Sequence, residues 1–524
     1  MNAPLLEIRD LTVTAGRHVL LDRVSLNVQA GEIVGLIGES GAGKSTLGLV
    51  ALGYLKTGCT IVEGSVLLRG RQLRDMSEAE LRDVRQRHAT YVAQSAASAF
   101  DPSWRIGDQV VEVCKVRGDA SATDALAIEL FKRLDLPDNF TRRFPHQVSG
   151  GQLQRAMLAM ALAPEPDLIV FDEPTTALDV TTQLEVLRTI RQAIRKRRVA
   201  GLYISHDIAL VAQMTDRMLV LREGRMVEVG RTAAMLVAPK ADYTRQLLAA
   251  RQRADPHPKT DPAGAPILAF KSVTAGYGRG PAVVNEATFA LLKGGVLAIV
   301  GQSGSGKSSA ARVATGLLVP RNGSVELDGS PLPASLDQRT RELRRRIQLV
   351  HQSPDTSLNP RQTVRTIIER PLRFFFNLPD NEVERRVRDL LMATELSEKL
   401  LERYPQSLSG GQKQRMCIAR ALAAEPDVLI CDEVTSALDP LVEDAVITLL
   451  SRIRQERGLA ILFITHNLAL AQRFADYVVV MQRGRIVEQS DSATLFDRPR
   501  EAYTKGLLAA IPTLEPGWLD RQLS

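Results

Sequence analysis

Along the chain, short runs of uninterrupted apolar residues alternate with stretches whose apolar positions recur at helical spacing. In the first half EIVGLI (32–37), LIVFDE (168–173) and GLYIS (201–205) read as strands, as do VLAIV (296–300), VLICDE (428–433) and AILFI (460–464) in the second. A strand loses its apolar–polar alternation when both of its faces are covered, so these runs predict a largely parallel sheet flanked by helices. YVAQ (91–94) and LVHQ (349–352) end further strands in glutamine. EGSVLLRG (63–70) and NGSVELDG (322–329) are bounded by turn residues and predict an additional antiparallel layer in an α/β fold.

The pattern occurs twice. GESGAGKST (38–46) returns as GQSGSGKSS (301–309), and VSGGQLQR (148–155) returns as LSGGQKQR (408–415). Gln94 and Gln352 lie 258 positions apart, and Ser149/Ser409, Asp172/Asp432 and His206/His466 lie 260 apart, which marks a duplicated unit. Between the copies, RQRADPHPKTDPAGAP (251–266) mixes proline with charge and reads as an extended linker. The expected division is a first domain over 1–250, the linker at 251–266, and a second domain over 267–524, with one chain supplying both.

Composition narrows the function classes. A chain of 524 residues, 44% hydrophobic and 24% charged, has ample material for two packed cores. No stretch approaches the roughly 18 apolar residues of a membrane helix, and the start lacks a secretory pattern, so the expectation is a cytoplasmic chain. The four cysteines are scattered without metal-ligand spacing and read as reduced thiols. The formal charge of +7 is spread over dispersed Lys and Arg with few aromatics, which argues against a nucleic-acid partner.

The repeated glycine-rich segment carries the chemistry. GxxxxGK[ST] between an apolar strand and a helical segment is a phosphate-binding loop, whose glycines let backbone N–H groups curl around phosphate oxygens. Its candidate ATP-binding residues are Gly38, Ser40, Gly41, Gly43, Lys44, Ser45 and Thr46, with Gly301, Ser303, Gly304, Gly306, Lys307, Ser308 and Ser309 in the second copy. Lys44 and Lys307 are suited to the β and γ phosphates, and Ser45 and Ser308 to Mg2+. Asp172 and Asp432 end strands where a carboxylate holds the metal, and Glu173 and Glu433 follow as candidate general bases. His206 and His466 cap further strands as candidate γ-phosphate sensors. Gln94 and Gln352 are placed to reach the metal or the attacking water.

With SGGQ ahead of a DE-terminated strand in each half, the chain resembles ATP-binding-cassette (ABC) domains over essentially its whole length. The resemblance implies a RecA-like core, an antiparallel β subdomain and a helical signature subdomain in each half, forming an intramolecular head-to-tail pseudo-dimer. It implies that Ser149, Gly150, Gly151 and Gln152, with Ser409, Gly410, Gly411 and Gln412, are signature loops. Residues 177–179 and 437–439 are then the D-loops, and each ATP lies between one half's phosphate loop and the other's signature. Both base positions are Glu, so two competent sites are expected. Tyr277 falls where the family stacks an aromatic on adenine, whereas Ala15 occupies the matching place, so the first half is expected to hold adenine less tightly unless His18 substitutes.

A translation factor of the ABC-F kind would carry a long helical linker, and a DNA-repair ATPase a zinc knuckle or coiled-coil insertion; neither pattern is present. The segments after the glutamines, SAASAFDPSWRIGDQV (95–110) and SPDTSLNPRQTVRTIIERPL (353–372), resemble importer ATPases of the dipeptide/oligopeptide/nickel group, most closely at SLNP (357–360). The tails DYTRQLLAA (242–250) and AYTKGLLAAIP (502–512) are similar to that group as well. Fused pentose importers lack the SLNP-type segment and usually degrade the second phosphate loop. The resemblance implies peptide import, with glutathione, peptide-like antibiotics or nickel chelates as alternatives. It further implies two permease subunits docking on about 98–148 and 356–407, a periplasmic or lipid-anchored binding protein, and a place on the cytoplasmic face of the inner membrane. With no cysteine after Cys431, no iron–sulfur cluster is expected.

Overall fold

The structure, a computed structural model, describes residues 3–116, 124–175, 178–252, 264–436, 438–515 and 517–522. Most of the linker segment, and Ala177 and Ala437 of the D-loop segments, lie outside these. Two compact units are present. The first takes in Met1–Arg253 together with Asp439–Leu441 and Pro512–Ser524; the second takes in Ala254–Leu438 and Val442–Ile511.

In the first unit a six-stranded sheet runs in the order Arg225–Arg231, Arg217–Arg222, Ile33–Ile37, Ala200–Ile204, Leu168–Asp172, Ala89–Val92. Every neighbouring pair is parallel except the outermost hairpin of Arg217–Arg222 and Arg225–Arg231. Ile33–Ile37, Leu168–Asp172 and Ala200–Ile204 are buried at every position, as their unbroken apolar sequences require. A separate four-stranded antiparallel sheet runs His18–Val28, Leu6–Ala15, Cys59–Leu68, Arg71–Gln72. One core joins the two sheets: Leu6, Ile8, Val13 and Val66 pack with Val34, Val170, Leu202 and Leu47 of the helix that follows the phosphate loop.

The second unit repeats this plan. Its six-stranded sheet runs Ile347–Val350, Val428–Asp432, Ala460–Ile464, Val296–Val300, Tyr477–Gln482, Arg485–Asp491. Its antiparallel sheet runs Val284–Leu292, Pro266–Ala275, Pro320–Leu327, Ser330–Pro331. The shared core again spans both sheets, from Phe270 and Val325 to Leu297, Ile430 and Leu462.

A helical layer interrupts each sheet between its glutamine-ended strand and its carboxylate-ended strand. It contains Ile106–Val116, Asp124–Lys132 and Gly150–Leu162 in the first unit, and Val364–Phe375, Asp380–Ala393 and Gly410–Leu422 in the second. Both SGGQ segments start the last of these helices through a capping box. Ser149 Oγ accepts from the Gln152 N–H at 3.3 Å while Gln152 Oε1 accepts from the Ser149 N–H at 3.1 Å; the same pair at Ser409 and Gln412 measures 3.3 and 3.0 Å. The second glycine of each motif allows close helix approach, since a Cβ on Gly151 would lie 2.0 Å from Thr182 Cγ2 and one on Gly411 2.6 Å from Val442 Cγ1.

The C-terminal residues fold with the first unit. Trp518 and Leu519 are buried. The Leu519 N–H donates to Gln213 Oε1 at 3.2 Å, Gln213 Nε2 donates to the Thr513 carbonyl at 2.7 Å, and Asp520 pairs with Arg191 at 2.9 Å. Among the described residues no helix is long and apolar enough to cross a membrane.

Candidate active sites

Each phosphate loop leaves the C-terminal end of a fully buried strand and turns straight into a helix, Lys44–Val50 in the first unit and Lys307–Thr315 in the second. Gly43 and Gly306 stand before these helices at φ 96° and 105°, a left-handed conformation that glycine adopts without a Cβ penalty. The helix N-terminus therefore points toward the loop, where its dipole favours an anion. Lys44 and Lys307 are only 7% and 5% exposed. Lys44 Nζ donates to the carbonyls of Gly38 and Glu39 at 2.7 and 2.8 Å, and Lys307 Nζ to those of Gly301 and Gln302 at 2.8 Å each. Burial pushes the Lys44 ammonium below its ordinary pKa, against the opposing pull of Glu173, Asp439, Asp172 and Glu39.

The sheet order brings the remaining candidates to the same edge, because the strands ending in Asp172 and Asp432 lie two places from the phosphate-loop strands. Ser45 Oγ donates to Asp172 Oδ1 at 3.1 Å, and Ser308 Oγ to Asp432 Oδ1 at 2.9 Å. A hydroxyl beside a carboxylate, next to a phosphate loop, is a hard oxygen donor set of the kind Mg2+ takes. Burial raises the Asp432 carboxyl, only partly offset by the Ser308 hydroxyl.

One residue further on, the chain bends sharply. Glu173 and Glu433 adopt φ 48° and 51°, sparsely populated for a residue with a side chain, and each N–H donates to the end of the adjacent strand, at Ile204 O and Ile464 O, both 2.9 Å. The bend places the glutamate among the other candidates. His206 Nδ1 lies 3.1 Å from Glu173 Oε1, and Gln94 Nε2 donates to Glu173 Oε2 at 3.0 Å. His466 Nδ1 lies 3.3 Å from Glu433 Oε2, and Gln352 Nε2 donates to the same oxygen at 2.7 Å. Burial disfavours the charged form of His206, but the hydrogen bond and charge of Glu173 outweigh it and raise its pKa above the ordinary value. For Glu433, burial opposes ionisation while the His466 hydrogen bond and charge win, holding its pKa below the usual range.

The structure thus gathers Lys, Ser, Asp, Glu, Gln and His of each half around one loop. The signature residues Ser149–Gln152 and Ser409–Gln412 sit apart at the starts of their helices, bonded within their own capping boxes. Tyr277 is 46% exposed beyond strand Pro266–Ala275; its hydroxyl lies 3.3 Å from Ser309 Oγ and accepts from Arg312 Nη1 at 2.8 Å. Ala15 closes strand Leu6–Ala15 opposite His18.

Sequence reasoning overlooked Tyr91, whose hydroxyl donates to Asp172 Oδ2 at 2.6 Å. Burial and that carboxylate drive the phenol pKa far up, so it stays a donor. The signal was visible: ATYV carries a polar-tipped tyrosine three residues before Gln94 where the second half has Leu349. The two carboxylates are therefore held differently, Asp172 from two sides and Asp432 by its serine.

A family model described as "ABC transporter" matches residues 21–176 and 284–436, and one described as "Oligopeptide/dipeptide transporter, C-terminal region" matches 487–523. The glutathione import ATP-binding protein GsiA of Escherichia coli O157:H7 is 35% identical over 539 aligned residues, covering 94% of this chain and 86% of its own. GsiA of Escherichia coli strain K12 gives the same identity and coverage. Among solved structures, cbiO1 of Clostridium perfringens, part of the ABC transporter complex cbiONQ, is 31% identical over 44% of this chain and 91% of its own, with a TM-score of 0.42. The chain belongs to the ABC transporter family, as two ATP-binding cassettes in tandem, and is related along its length to an importer ATPase of the peptide type.

Proposed function

We propose that the chain is the ATP-hydrolysing subunit that drives peptide import through separate permease subunits, with cassettes over 1–250 and 267–524 joined by 251–266. The observation that carries this reading is the recurrence, in both units, of a buried loop lysine, a serine–aspartate pair and a glutamate bonded to histidine and glutamine. Ser45 with Asp172, and Ser308 with Asp432, are the residues that would hold Mg2+, which when bound would supply positive charge to offset that of the phosphates. Lys44 and Lys307 turn their donors to the phosphates. Glu173 and Glu433 accept a proton from the attacking water, aimed by their histidine and glutamine partners. The helix starts at Ser149 and Ser409 offer further backbone N–H donors of the kind that suit a phosphate.

The cargo class follows from the full-length similarity to a glutathione importer's ATPase and from the oligopeptide/dipeptide C-terminal match. Short peptides, glutathione among them, fit that pair of matches. The test is reconstitution of the chain with its permease subunits and binding protein in vesicles. ATP hydrolysis should rise when a short peptide is loaded on the binding protein, and labelled peptide should accumulate. Hydrolysis indifferent to every peptide, or transport outward, would overturn the assignment.

A further inference from the structure

The repeated Tyr-Thr segments near the end of each half have no part in the chemistry above, yet in both units the tyrosine reaches the phosphate loop. Each loop opens on a glycine in a conformation that only glycine accepts: Gly38 has φ 154° and Gly301 φ 147°, and a Cβ would lie 2.1 Å from the Leu221 carbonyl oxygen or 2.2 Å from that of Met481. The planar peptide unit after such a glycine can swing about the single bonds on either side of it unless something holds it. Here both of its edges are held. The Gly38 carbonyl accepts from Lys44 Nζ at 2.7 Å, and the Glu39 N–H on the opposite edge donates to the Tyr243 hydroxyl at 3.2 Å. In the second unit the Gly301 carbonyl accepts from Lys307 Nζ at 2.8 Å, and the Gln302 N–H donates to the Tyr503 hydroxyl at 3.1 Å.

The phenols are themselves placed by a second repeated contact. Glu228 accepts from the N–H groups of Lys240 and Ala241 at 2.9 and 3.0 Å, and Glu488 from those of Arg500 and Glu501 at 2.8 and 3.2 Å. These carboxylates pin the chain just ahead of helices Asp242–Gln252 and Ala502–Ala509, on whose first turns Tyr243 and Tyr503 stand. The Arg222 guanidinium lies 4.9 Å from the centre of the Tyr243 ring.

We propose that Tyr243 and Tyr503 are positioning residues for nucleotide binding, each fixing the first peptide of its phosphate loop so that the following N–H groups are already arranged for phosphate. A lysine that turns its donors toward a phosphate slackens its grip on the carbonyl edge, and the phenol still holds the N–H edge. The inference rests on the two loops being the nucleotide sites.

The test uses the full chain carrying Tyr243→Phe, Tyr503→Phe or both, which keeps the ring and its packing and removes only the hydroxyl. Binding of a fluorescent ATP analogue with Mg2+ should weaken about three- to tenfold at the altered site, with the maximal hydrolysis rate within about twofold of the parent. The heat stability of the nucleotide-free chain should barely move, while the rise in unfolding temperature on adding nucleotide shrinks. Unchanged affinity, a fall in maximal rate at unchanged KM, or an equal loss of heat stability with and without nucleotide would overturn it. A parent chain that binds no nucleotide would instead defeat the site assignment itself.

Discussion

A chain carrying Glu173→Gln together with Glu433→Gln should bind ATP with near-parental affinity and hydrolyse it at least ~100-fold more slowly, the scale of a lost general base. Glutamine preserves length and volume, and it can occupy the same bent backbone at φ 48° and 51°. What it loses is the negative charge and the ability to take a proton. The amide can still accept from Gln94 or Gln352, so the architecture around it survives while the chemistry stops. Phosphate release at saturating ATP, beside nucleotide binding on the same preparation, separates these effects. Turnover near the parental rate would remove both glutamates from the role of base. The single variants are informative as well, since they report whether one site can run while the other is stalled.

The largest stability change is expected in the second unit from Arg454→Ala. The Arg454 guanidinium lies 2.6 Å from Asp476 Oδ2, both side chains being 7% exposed, and its Nε donates to the Gly294 carbonyl at 2.7 Å. The same aspartate oxygen accepts from the Val296 N–H at 2.8 Å, so this pair ties the helix Pro440–Arg457 to the start of the strand that leads to the phosphate loop. Removing one member of a buried pair strands the other charge away from water, which costs about 3–5 kcal/mol. Denaturant unfolding of the full chain, fitted as more than one transition, should show that loss in one of them only. The first half has Ile194 at the matching position and owes nothing to this contact. A change below about 1 kcal/mol would show that the aspartate finds adequate partners without the arginine.

Much of this was legible in the sequence. Unbroken apolar runs such as LIVFD and AILFI could only be strands covered on both faces, and they are buried at every position. The phosphate loops were readable because their chemistry is local: glycine spacing, lysine and serine stand within nine consecutive residues. The contacts of Asp172 and Glu173 with residues 127 and 33 positions away depend instead on strand order, which periodicity does not specify. Recurrence at a fixed offset stood in for that missing information. It failed where the halves differ, as at Tyr91 and Leu349, and where a long-range contact carries no motif of its own, as between Tyr243 and Glu39. The strained backbone at the two glutamates was equally invisible, because no side chain announces a positive φ.

The burial of Trp518 and Leu519 with the first unit alters how the polypeptide may be dissected. The chain leaves the first unit after Arg253, touches it again at Asp439–Leu441 and rejoins it at Pro512, and a fragment ending at 250 lacks the Leu519 amide and the two carbonyls that Gln213 engages. Isolating the leading cassette as a free-standing piece would strip a buried glutamine of its partners and leave bare the place that an indole and a leucine occupy. A faithful minimal version would splice 512–522 back behind the first cassette, a rearranged connectivity in place of a simple truncation.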